Sequence, residues 1–232
     1  MNNTGVNCID LNFTFLGHRN YVHGSSMMEG MIRSISGSLP SGISLPAKIK
    51  MFKVIREFST QARAESMRTE DAQYHKSIKN AVARLDFVTA GCAFTSFLFA
   101  IPGKSVVERQ VSYDAGDYVG RVGILEGDSS YGELVNIRNV TDLARGIVEA
   151  NRQITLKRPS LQCKIKKMRW AYLTNFKFFE NCEKPYSTRV HFVPKMVYNI
   201  EDRIFEVKKV VLEDCDSKEE SDICFYIQPE RS

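Results

Sequence analysis

The sequence lacks the short patterns that mark the commonest catalytic and metal-binding sites. Its 232 residues contain no P-loop, no His-Glu-x-x-His pair, no Gly-x-Ser-x-Gly elbow and no Rossmann glycine pattern. The six cysteines form no Cys-x-x-Cys pair, and Cys163, Cys182 and His191 match no zinc-ligand spacing. These absences argue against P-loop nucleotidases, zincins, α/β-hydrolases and dinucleotide-dependent enzymes, and we expect no bound metal.

Long apolar runs and targeting signals are scarce as well. The most apolar run, residues 93–102, is about ten residues long, whereas a membrane-spanning helix needs about twenty. The N-terminus has no basic region followed by an apolar one, so we expect no signal peptide. Without secretion, the cysteines are expected to be reduced thiols. The sequence therefore predicts a cytoplasmic protein that does not enter a membrane.

Charge of either sign is in only slight excess. The formal net charge is +5, with 43% hydrophobic and 25% charged residues, which is the composition of a globular protein with a sizeable core. Basic residues concentrate in 157–169, and an acidic stretch at 213–220 offsets them. A charge this mild does not by itself indicate a nucleic-acid-binding protein.

A repeat at an offset of 116 residues (160 − 44 = 116) is the strongest pattern present. Residues 44–50 read Ser-Leu-Pro-Ala-Lys-Ile-Lys, and residues 160–166 read Ser-Leu-Gln-Cys-Lys-Ile-Lys, so that five of seven positions are identical. The same offset aligns Asn20 with Asn136, Met27 with Leu143, Gly30 with Gly146, Met31 with Ile147 and Ile32 with Val148. Because an internal repeat decides the whole fold, we infer two diverged copies of one unit.

Each copy contains one predicted helix. Apolar residues recur at helical spacing, at Met27, Met28, Met31, Ile32 and Ile35 in the first copy and at Leu143, Ala144, Ile147 and Val148 in the second. Ser26 is the predicted N-cap of the first helix, and Thr141 or Asp142 is the predicted N-cap of the second.

A third match requires a shorter offset of 105 residues (189 − 84 = 105). It aligns Arg-Leu-Asp-Phe-Val at 84–88 with Arg-Val-His-Phe-Val at 189–193. The shorter offset predicts an insertion in the first copy, and the polar stretch 60–79 is the expected place for it. A turn at Pro102-Gly103-Lys104 marks the join. We therefore expect one unit over 1–103 and a second over 104–232, packed as one globular body.

Period-2 segments predict that the rest of each copy is mainly β-strand. The candidates are residues 8–16, 47–58, 80–89 and 93–101 in the first copy, and 106–113, 118–125, 163–178, 188–198, 203–212 and 222–228 in the second. Long strands after a single helix are typical of an antiparallel sheet packed on that helix, so the predicted fold class is α+β.

The segment that leads into the first helix resembles a motif of the hot-dog 3-hydroxyacyl-ACP dehydratases. Residues 13–18 read Phe-Thr-Phe-Leu-Gly-His, and residues 23–31 read His-Gly-Ser-Ser-Met-Met-Glu-Gly-Met. The family pattern is Gly-His-(x)n-Pro-Gly-(x)4-Glu-Ala-Met. Gly24 and Glu29 have its spacing, and Met31 matches its last position. The departures are a histidine in place of the proline and a catalytic-histidine spacing that differs by several residues.

The order of elements is also similar to the hot-dog fold, and two tandem units resemble a double hot-dog, in which each half is an antiparallel sheet wrapped on one central helix. Hot-dog proteins mostly handle acyl thioesters. The resemblance therefore implies an acyl-thioester dehydratase, hydratase, thioesterase or acyltransferase of lipid or polyketide metabolism. It implies acyl-CoA or acyl carrier protein as the substrate and partner, and no separate cofactor. A fused pair supplies the dimer that single units need, and a homodimer of the whole chain stays open.

Two histidines before the first helix are the candidate catalytic groups. His18 keeps the Gly-His pair of the family, and His23 lies nearer the helix start; an imidazole suits acid–base chemistry near neutral pH. Tyr21 is a candidate donor to a thioester oxygen. Gly24 and Asn20 are candidate substrate-binding residues beside the amides of the helix start, which can polarise a carbonyl.

The acidic partner is harder to assign. Glu29 falls on the acidic position of the family, although a serine three residues before it also makes a capping box. In the family the histidine of one unit works with the acid on the helix of the other, and the position equivalent to 29 is Arg145 (29 + 116 = 145). Asp142 or Glu149 is then the substitute carboxylate, and Arg145 and Asn139 are candidate substrate-binding residues. Because the second copy has no histidine near its helix, we expect a single active site between the halves.

Two other functions stay open. The missing carboxylate opposite the histidine favours a non-catalytic hot-dog binding protein or subunit. Basic residues along 157–169, near Trp170 and Tyr172, suit a nucleic-acid-binding face, the phosphates of coenzyme A, or simply a solvated strand surface. We rank nucleic acid last among these partners.

Overall fold

A computed structural model describes residues 7–16, 22–36, 47–51, 61–72, 79–89, 92–102, 109–110, 114–158, 165–176, 184–201, 203–213 and 221–229. The chain divides into two compact units. The first comprises Met1–Tyr113 and Phe176–Phe178, and the second comprises Asp114–Asn175 and Phe179–Ser232. None of the helices in these described ranges is long and apolar enough to cross a membrane.

The first unit combines one long helix with antiparallel strands. Its helices are α1 (Gly24–Ser36) and α2 (Thr69–Ala72), and its strands are β1 (Asn7–Asn12), β2 (Phe15–Leu16), β3 (Ala47–Met51), β4 (Gln61–Arg68), β5 (Ala83–Thr89), β6 (Cys92–Ala100) and β7 (Arg109–Gln110). The antiparallel strands lie in the order β1-β4-β6-β5-β3, and β2 pairs in parallel with β7. Because α1 contacts β1, β4, β5 and β6, the helix lies against the sheet.

The second unit repeats this plan. It contains β8 (Val119–Ile124), β9 (Ser130–Ile137), α3 (Val140–Lys157), β10 (Ile165–Phe176), β11 (Tyr186–Ile200), β12 (Arg203–Leu212) and β13 (Ser221–Pro229). The strands lie in the order β8-β9-β11-β12-β13-β10, all antiparallel, and α3 contacts β8 and β9. One long helix on an antiparallel sheet in each unit confirms the predicted α+β class and is the arrangement expected of a tandem hot-dog.

The two long helices confirm the offset of 116 residues. The aligned residues Met27 and Leu143 are both buried, as are Met31 and Ile147. The aligned glycines Gly30 and Gly146 also have the same role in packing. A Cβ on Gly30 would lie 2.8 Å from the ring of Phe13, and a Cβ on Gly146 would lie 3.2 Å from Cδ2 of Leu134. Each helix therefore packs closely on the chain just before it, and glycine provides the space.

The polar stretch 60–79 is not simply an inserted loop. Residues 61–68 form β4, which pairs with β1 on one side and with β6 on the other. Ala62 and Ala64 are buried and alternate with the exposed Arg63. The alternation was present in the sequence, but the buried residues are alanines, so their period-2 pattern carries little hydrophobic contrast.

The third sequence match, between 84–88 and 189–193, is wrong as a structural equivalence. It aligns β5 with β11, but β11 is the second strand after its helix and pairs with the strand before that helix. In the first unit β4 is the second strand after its helix among the described residues, and it pairs with β1, which also precedes that helix. The sequence match therefore arises because two non-equivalent strands have a similar pattern of apolar residues.

The two units differ in the order of their last strands. In the second unit β11, β12 and β13 follow one another in space as in sequence. In the first unit β4 pairs with β6, and β5 lies beyond it next to β3. β4 and β5 are therefore parallel to each other, and residues 69–82, which begin with α2, connect them. A parallel connection needs about a dozen residues, and this segment provides that length.

The remaining strand predictions are mixed. β5, β6, β8 and β10–β13 lie where period-2 patterning predicts them. The predicted strand 8–16 is interrupted at Phe13-Thr14, and β9 was not predicted at all. Residues 52–58 of one predicted strand lie outside the described residues. The sequence predicts the join of the units at residues 102–104, and the compact units divide after Tyr113.

Candidate functional site

His23 lies where α1 begins. Its carbonyl oxygen accepts hydrogen bonds from the backbone N–H of Ser26 (3.0 Å) and of Met27 (3.1 Å), and the second of these is the first i+4 bond of the helix. His23 is therefore the N-cap residue, and Ser26 is the third residue of the helix. The predicted cap at Ser26 and its capping box to Glu29 are wrong, because the helix starts before the first methionine of the apolar pattern.

The imidazole of His23 is buried and hydrogen-bonded. The residue is 8% exposed, and its Nδ1 lies 2.7 Å from Oγ of Ser25, which is 1% exposed. A neutral imidazole carries one donor and one acceptor nitrogen, and the bond to Ser25 restricts the orientation of the ring. A buried imidazole held in this way is suited to hydrogen-bond donation or proton transfer.

The other predicted residues of the first unit are only partly placed. Gly24 is buried and is the first residue of α1, whereas Glu29 is half-buried in the second turn. Glu29 is six positions after His23, which corresponds to about 9 Å along a helix axis. His18, Asn20 and Tyr21 lie outside the described residues, and their predicted roles stay predictions.

The equivalent position in the second unit is Asn139 (23 + 116 = 139), and it is a helix cap. Its carbonyl oxygen accepts from the N–H of Leu143 (3.1 Å), and its side-chain Oδ1 accepts from the N–H of Asp142 (3.0 Å). Oδ2 of Asp142 in turn accepts from the N–H of Arg138 (3.3 Å). The predicted caps at Thr141 or Asp142 are therefore wrong, and Asn139, which we predicted to bind substrate, holds the start of α3.

Replacing Asn139 by alanine is expected to lower the free energy of unfolding by about 0.5–2 kcal/mol, because the N–H of Asp142 loses its acceptor. Urea denaturation followed by circular dichroism measures the change. Asn139→Asp is the matched control, since its carboxylate retains the acceptor and suits the positive end of the helix dipole. Equal losses in both variants would show that the side-chain cap contributes nothing.

The predicted carboxylate Asp142 is paired with an arginine. It is 8% exposed, and its Oδ1 lies 3.6 Å from Nη1 of Arg145 on the same helix. Arg145 also donates to the hydroxyl of Tyr118 (3.3 Å), and its guanidinium lies 5.8 Å from the centre of that ring. The structure thus brings Asp142 and Arg145 together, but as a local ion pair at the helix start.

Glu149, the other substitute carboxylate, is held in the same manner. It is 3% exposed, and Arg152 donates to both of its oxygens, with Nη2 2.6 Å from Oε1 and Nε 2.9 Å from Oε2. Gln153 donates to Oε1 as well (3.3 Å). Asp142 and Glu149, the two candidate carboxylates on α3, therefore both have cationic partners on their own helix.

A buried charged cluster was not predicted. Glu206 and Lys208 lie on β12 at 4% and 0% exposure, and Arg158 follows the last residue of α3 at 9% exposure. Nη1 of Arg158 donates to Oε1 of Glu206. Nζ of Lys208 lies 3.1 Å from Oε2 of Glu206 and donates to Oδ1 of Asn151 (2.6 Å). These four side chains, which we call the α3–β12 cluster, join the helix to the sheet.

The α3–β12 cluster changes the interpretation of the basic run 157–169. Lys157 is exposed, but Arg158 is buried and paired with a carboxylate, so it is not part of a basic surface. The sequence does not distinguish Lys157 from Arg158, because the burial of a cation at the end of an amphipathic helix depends on the strand that packs against it.

Among the residues with described positions, no group of three or more His, Cys, Asp and Glu side chains is arranged to hold a metal ion.

No protein-family model and no curated protein matches the sequence. Solved structures match over nearly the whole chain. A conserved protein of unknown function with a hot-dog fold from Alicyclobacillus acidocaldarius has a TM-score of 0.50 at 11% identity, covering 99% of this chain and 97% of its own. The tesB protein of Mycobacterium avium subspecies paratuberculosis has a TM-score of 0.51 at 5% identity, covering 97% and 93%. The pyran synthase domain from module nine of the sorangicin pathway has a TM-score of 0.51 at 7% identity, also covering 97% and 93%. These likenesses show that the chain has the hot-dog fold.

Proposed function

We propose that this protein processes acyl thioesters, of coenzyme A or of an acyl carrier protein, by a reaction of the dehydratase, thioesterase or acyltransferase type. His23 is the central residue of the proposal. The observation that carries it is a buried imidazole at the start of α1 whose Nδ1 is held by a buried hydroxyl. The chain shares its fold with the tesB protein and the pyran synthase domain, and the hot-dog resemblance of the segment before α1 supports acyl thioesters as the class of substrate.

The two helices begin with different N-cap residues, and this difference supports a catalytic role for His23. Asn139, at the equivalent position, caps its helix through its side chain, which is the ordinary use of an asparagine there. A histidine in this position is a poorer cap, and burying it restricts a titratable ring. We therefore attribute the presence of a histidine at position 23 to a function other than capping. The equivalent position of the second unit is Asn139, so this function belongs to the first unit.

The chemistry of an acyl thioester suits this position. Attack on the carbonyl, or removal of the adjacent proton, places negative charge on the thioester oxygen. The first turn of a helix carries partial positive charge on its N–H groups, and an imidazole beside it can donate a hydrogen bond or transfer a proton. The phosphopantetheine arm belongs to the substrate, so the proposed reaction uses no further cofactor.

The test compares His23→Gln with His191→Gln. His191 is partly exposed on β11, where its Nε2 lies 3.2 Å from Oε1 of Glu213, and it serves as the matched control. Thiol release from a panel of acyl-CoA substrates, and hydration of enoyl thioesters, would be measured for both variants. We expect His23→Gln to lose about 100-fold or more in kcat and His191→Gln to retain wild-type rates. Wild-type rates in His23→Gln would exclude the proposed role.

A second candidate is a non-catalytic hot-dog protein that binds acyl thioesters. The pairing of Asp142 with Arg145 and of Glu149 with Arg152 favours it, because neither carboxylate is an uncommitted base. A non-hydrolysable acyl-CoA thioether distinguishes the candidates by calorimetry. Binding of the thioether by a wild-type protein that turns over none of the substrates would establish the second candidate.

A further inference from the structure

The last five residues of β11, 196–200, have a strand on one side only. β12 pairs with all of them in continuous register. On the other side of β11, β9 pairs only with residues 186–192. A register shift between Pro194 and Met196 separates the two parts of the strand. In the described part of the chain no strand therefore pairs with the outer edge of residues 196–200, which we call the β11 edge.

The β11 edge also carries the most exposed large apolar side chains of the described residues. Met196, Val197 and Ile200 are 57%, 61% and 51% exposed, and every other large hydrophobic side chain with a described position is at most 46% exposed. Because side chains alternate along a strand, Met196 and Ile200 lie on one face and Val197 on the other. An edge strand that is apolar on both faces is a template for pairing with a further strand.

We propose that the β11 edge pairs with the same edge of a second copy of the chain, as antiparallel strands about a two-fold axis at Tyr198. Such a contact is isologous and closes as a dimer. The axis makes the numbers of paired residues sum to 396 (2 × 198 = 396). Met196 then lies opposite Ile200 of the second copy, and Val197 lies opposite Asn199 of the second copy. This contact does not depend on the proposed activity.

Charge complementarity selects this register. Residues 196–200 contain no charge, and Lys195 and Glu201 bound them. Since 195 + 201 = 396, the axis at Tyr198 places Lys195 beside Glu201 of the second copy, and the symmetry makes this contact twice. Nζ of Lys195 lies 2.8 Å from Oδ2 of Asp222, and the lysine side chain is 46% exposed, so the second copy adds a carboxylate to an existing ion pair. An axis one residue to either side would place Glu201 opposite a valine, residue 193 or 197 of the second copy.

The aromatic side chains of the three neighbouring strands agree with an axis at Tyr198. The ring of Tyr198 stacks on that of Phe205 on β12, with centroids 5.1 Å apart, and Phe205 stacks on Tyr226 on β13 at 5.8 Å. The stack restricts the ring of Tyr198 before the second copy binds, which lowers the entropy lost on association. In the dimer the rows of three rings meet at the axis, where a cross-strand aromatic pair is favourable.

The experiment is sedimentation equilibrium of the full chain at micromolar concentrations. We expect the wild type to have twice the 26.4 kDa of one chain. Met196→Lys and Ile200→Glu are each expected to raise the dissociation constant about 100-fold or more, because a charge then faces an apolar side chain at two symmetric positions. Leu125→Lys and Leu156→Glu are the matched controls, since these leucines are 46% and 44% exposed outside the β11 edge. They are expected to keep the wild-type constant, and circular dichroism melts check that all variants fold.

The double variant Met196→Lys with Ile200→Glu tests the register. Each new ammonium lies opposite a new carboxylate of the second copy, whereas within one chain the two are about 13 Å apart along the strand and do not pair. We expect its dissociation constant to return to within about tenfold of the wild type. A double variant as weak as the single ones overturns the proposal, and so does a monomeric wild type. Flotation of a monomeric wild type with phosphatidylglycerol vesicles, lost in Ile200→Glu, would assign these side chains to a bilayer instead.

Discussion

Replacing Glu206 by alanine is expected to destabilise the second unit by about 3–5 kcal/mol, because the two buried cations of the α3–β12 cluster lose the carboxylate with which both are paired. Glu206 lies between Arg158 and Lys208, and the side chains of all three are at most 10% exposed. Breaking a buried ion pair on one side leaves charge in a medium that solvates it poorly. The cost is the desolvation of the remaining cations.

The control for Glu206→Ala is Glu133→Ala. Glu133 also accepts from an arginine, with Nη2 of Arg189 at 3.2 Å, but its side chain is 36% exposed. Although that hydrogen bond raises the pKa of Arg189, water replaces the partner when the pair is broken. We expect a loss well below that of Glu206→Ala. Both changes are measured by urea denaturation, and equal losses would show that burial of the cluster has no energetic consequence.

The helices could be predicted from the sequence because their apolar residues have a clear period and occur twice. Met27 and Met31 recur as Leu143 and Ile147, and the repeat makes a chance pattern implausible. The glycines at 30 and 146 carried a further signal, since an aligned glycine inside two helices indicates a close approach to a neighbouring segment. Periodicity and repetition together were enough to assign the fold class.

The strands that were missed have weak hydrophobic contrast. β4 buries Ala62 and Ala64, and the face of β9 towards the helix includes Gly132, whose Cβ would lie 2.7 Å from Cβ of Ala150. Small residues are needed where the helix approaches the sheet, and small residues do not stand out in a hydropathy pattern. The closest packing of helix on strand therefore hides the strand from sequence-based prediction.

The candidate site was predicted only in part, for a similar reason. His23 was singled out because it lies beside the helix start in a segment that resembles a known motif. The arginine partners of Asp142 and Glu149 lie three residues further along α3, and their pairing follows once the helix is known. The burial of Glu206 and Lys208 could not be predicted, because alternation along β12 assigns charged residues to the solvent face. The tertiary contacts of Lys208 with Asn151 and of Glu206 with Arg158 show that this face meets the helix.

Leu134→Ala is expected to destabilise the second unit by about 2–5 kcal/mol, since it opens a cavity between β9 and α3. Leu134 is fully buried, and its methyl groups lie where a side chain on Gly146 would have to go. Leu156→Ala is the control, because Leu156 lies on α3, the helix that packs on β9, but is 44% exposed, and its loss should be small. Urea denaturation followed by circular dichroism measures all of these changes.

The cavity also predicts a compensating change on the facing helix. A Cβ on Gly146 would lie 3.2 and 3.3 Å from Cδ2 and Cδ1 of Leu134, so Gly146→Ala alone gains helix propensity but crowds that leucine. In the Leu134→Ala background the crowding is absent and the new methyl group occupies the cavity. We expect Gly146→Ala to restore about 1 kcal/mol or more there, and clearly less in the wild type. Additive effects of the two substitutions would mean that Gly146 and Leu134 do not share this space, and would contradict the close packing of α3 on β9.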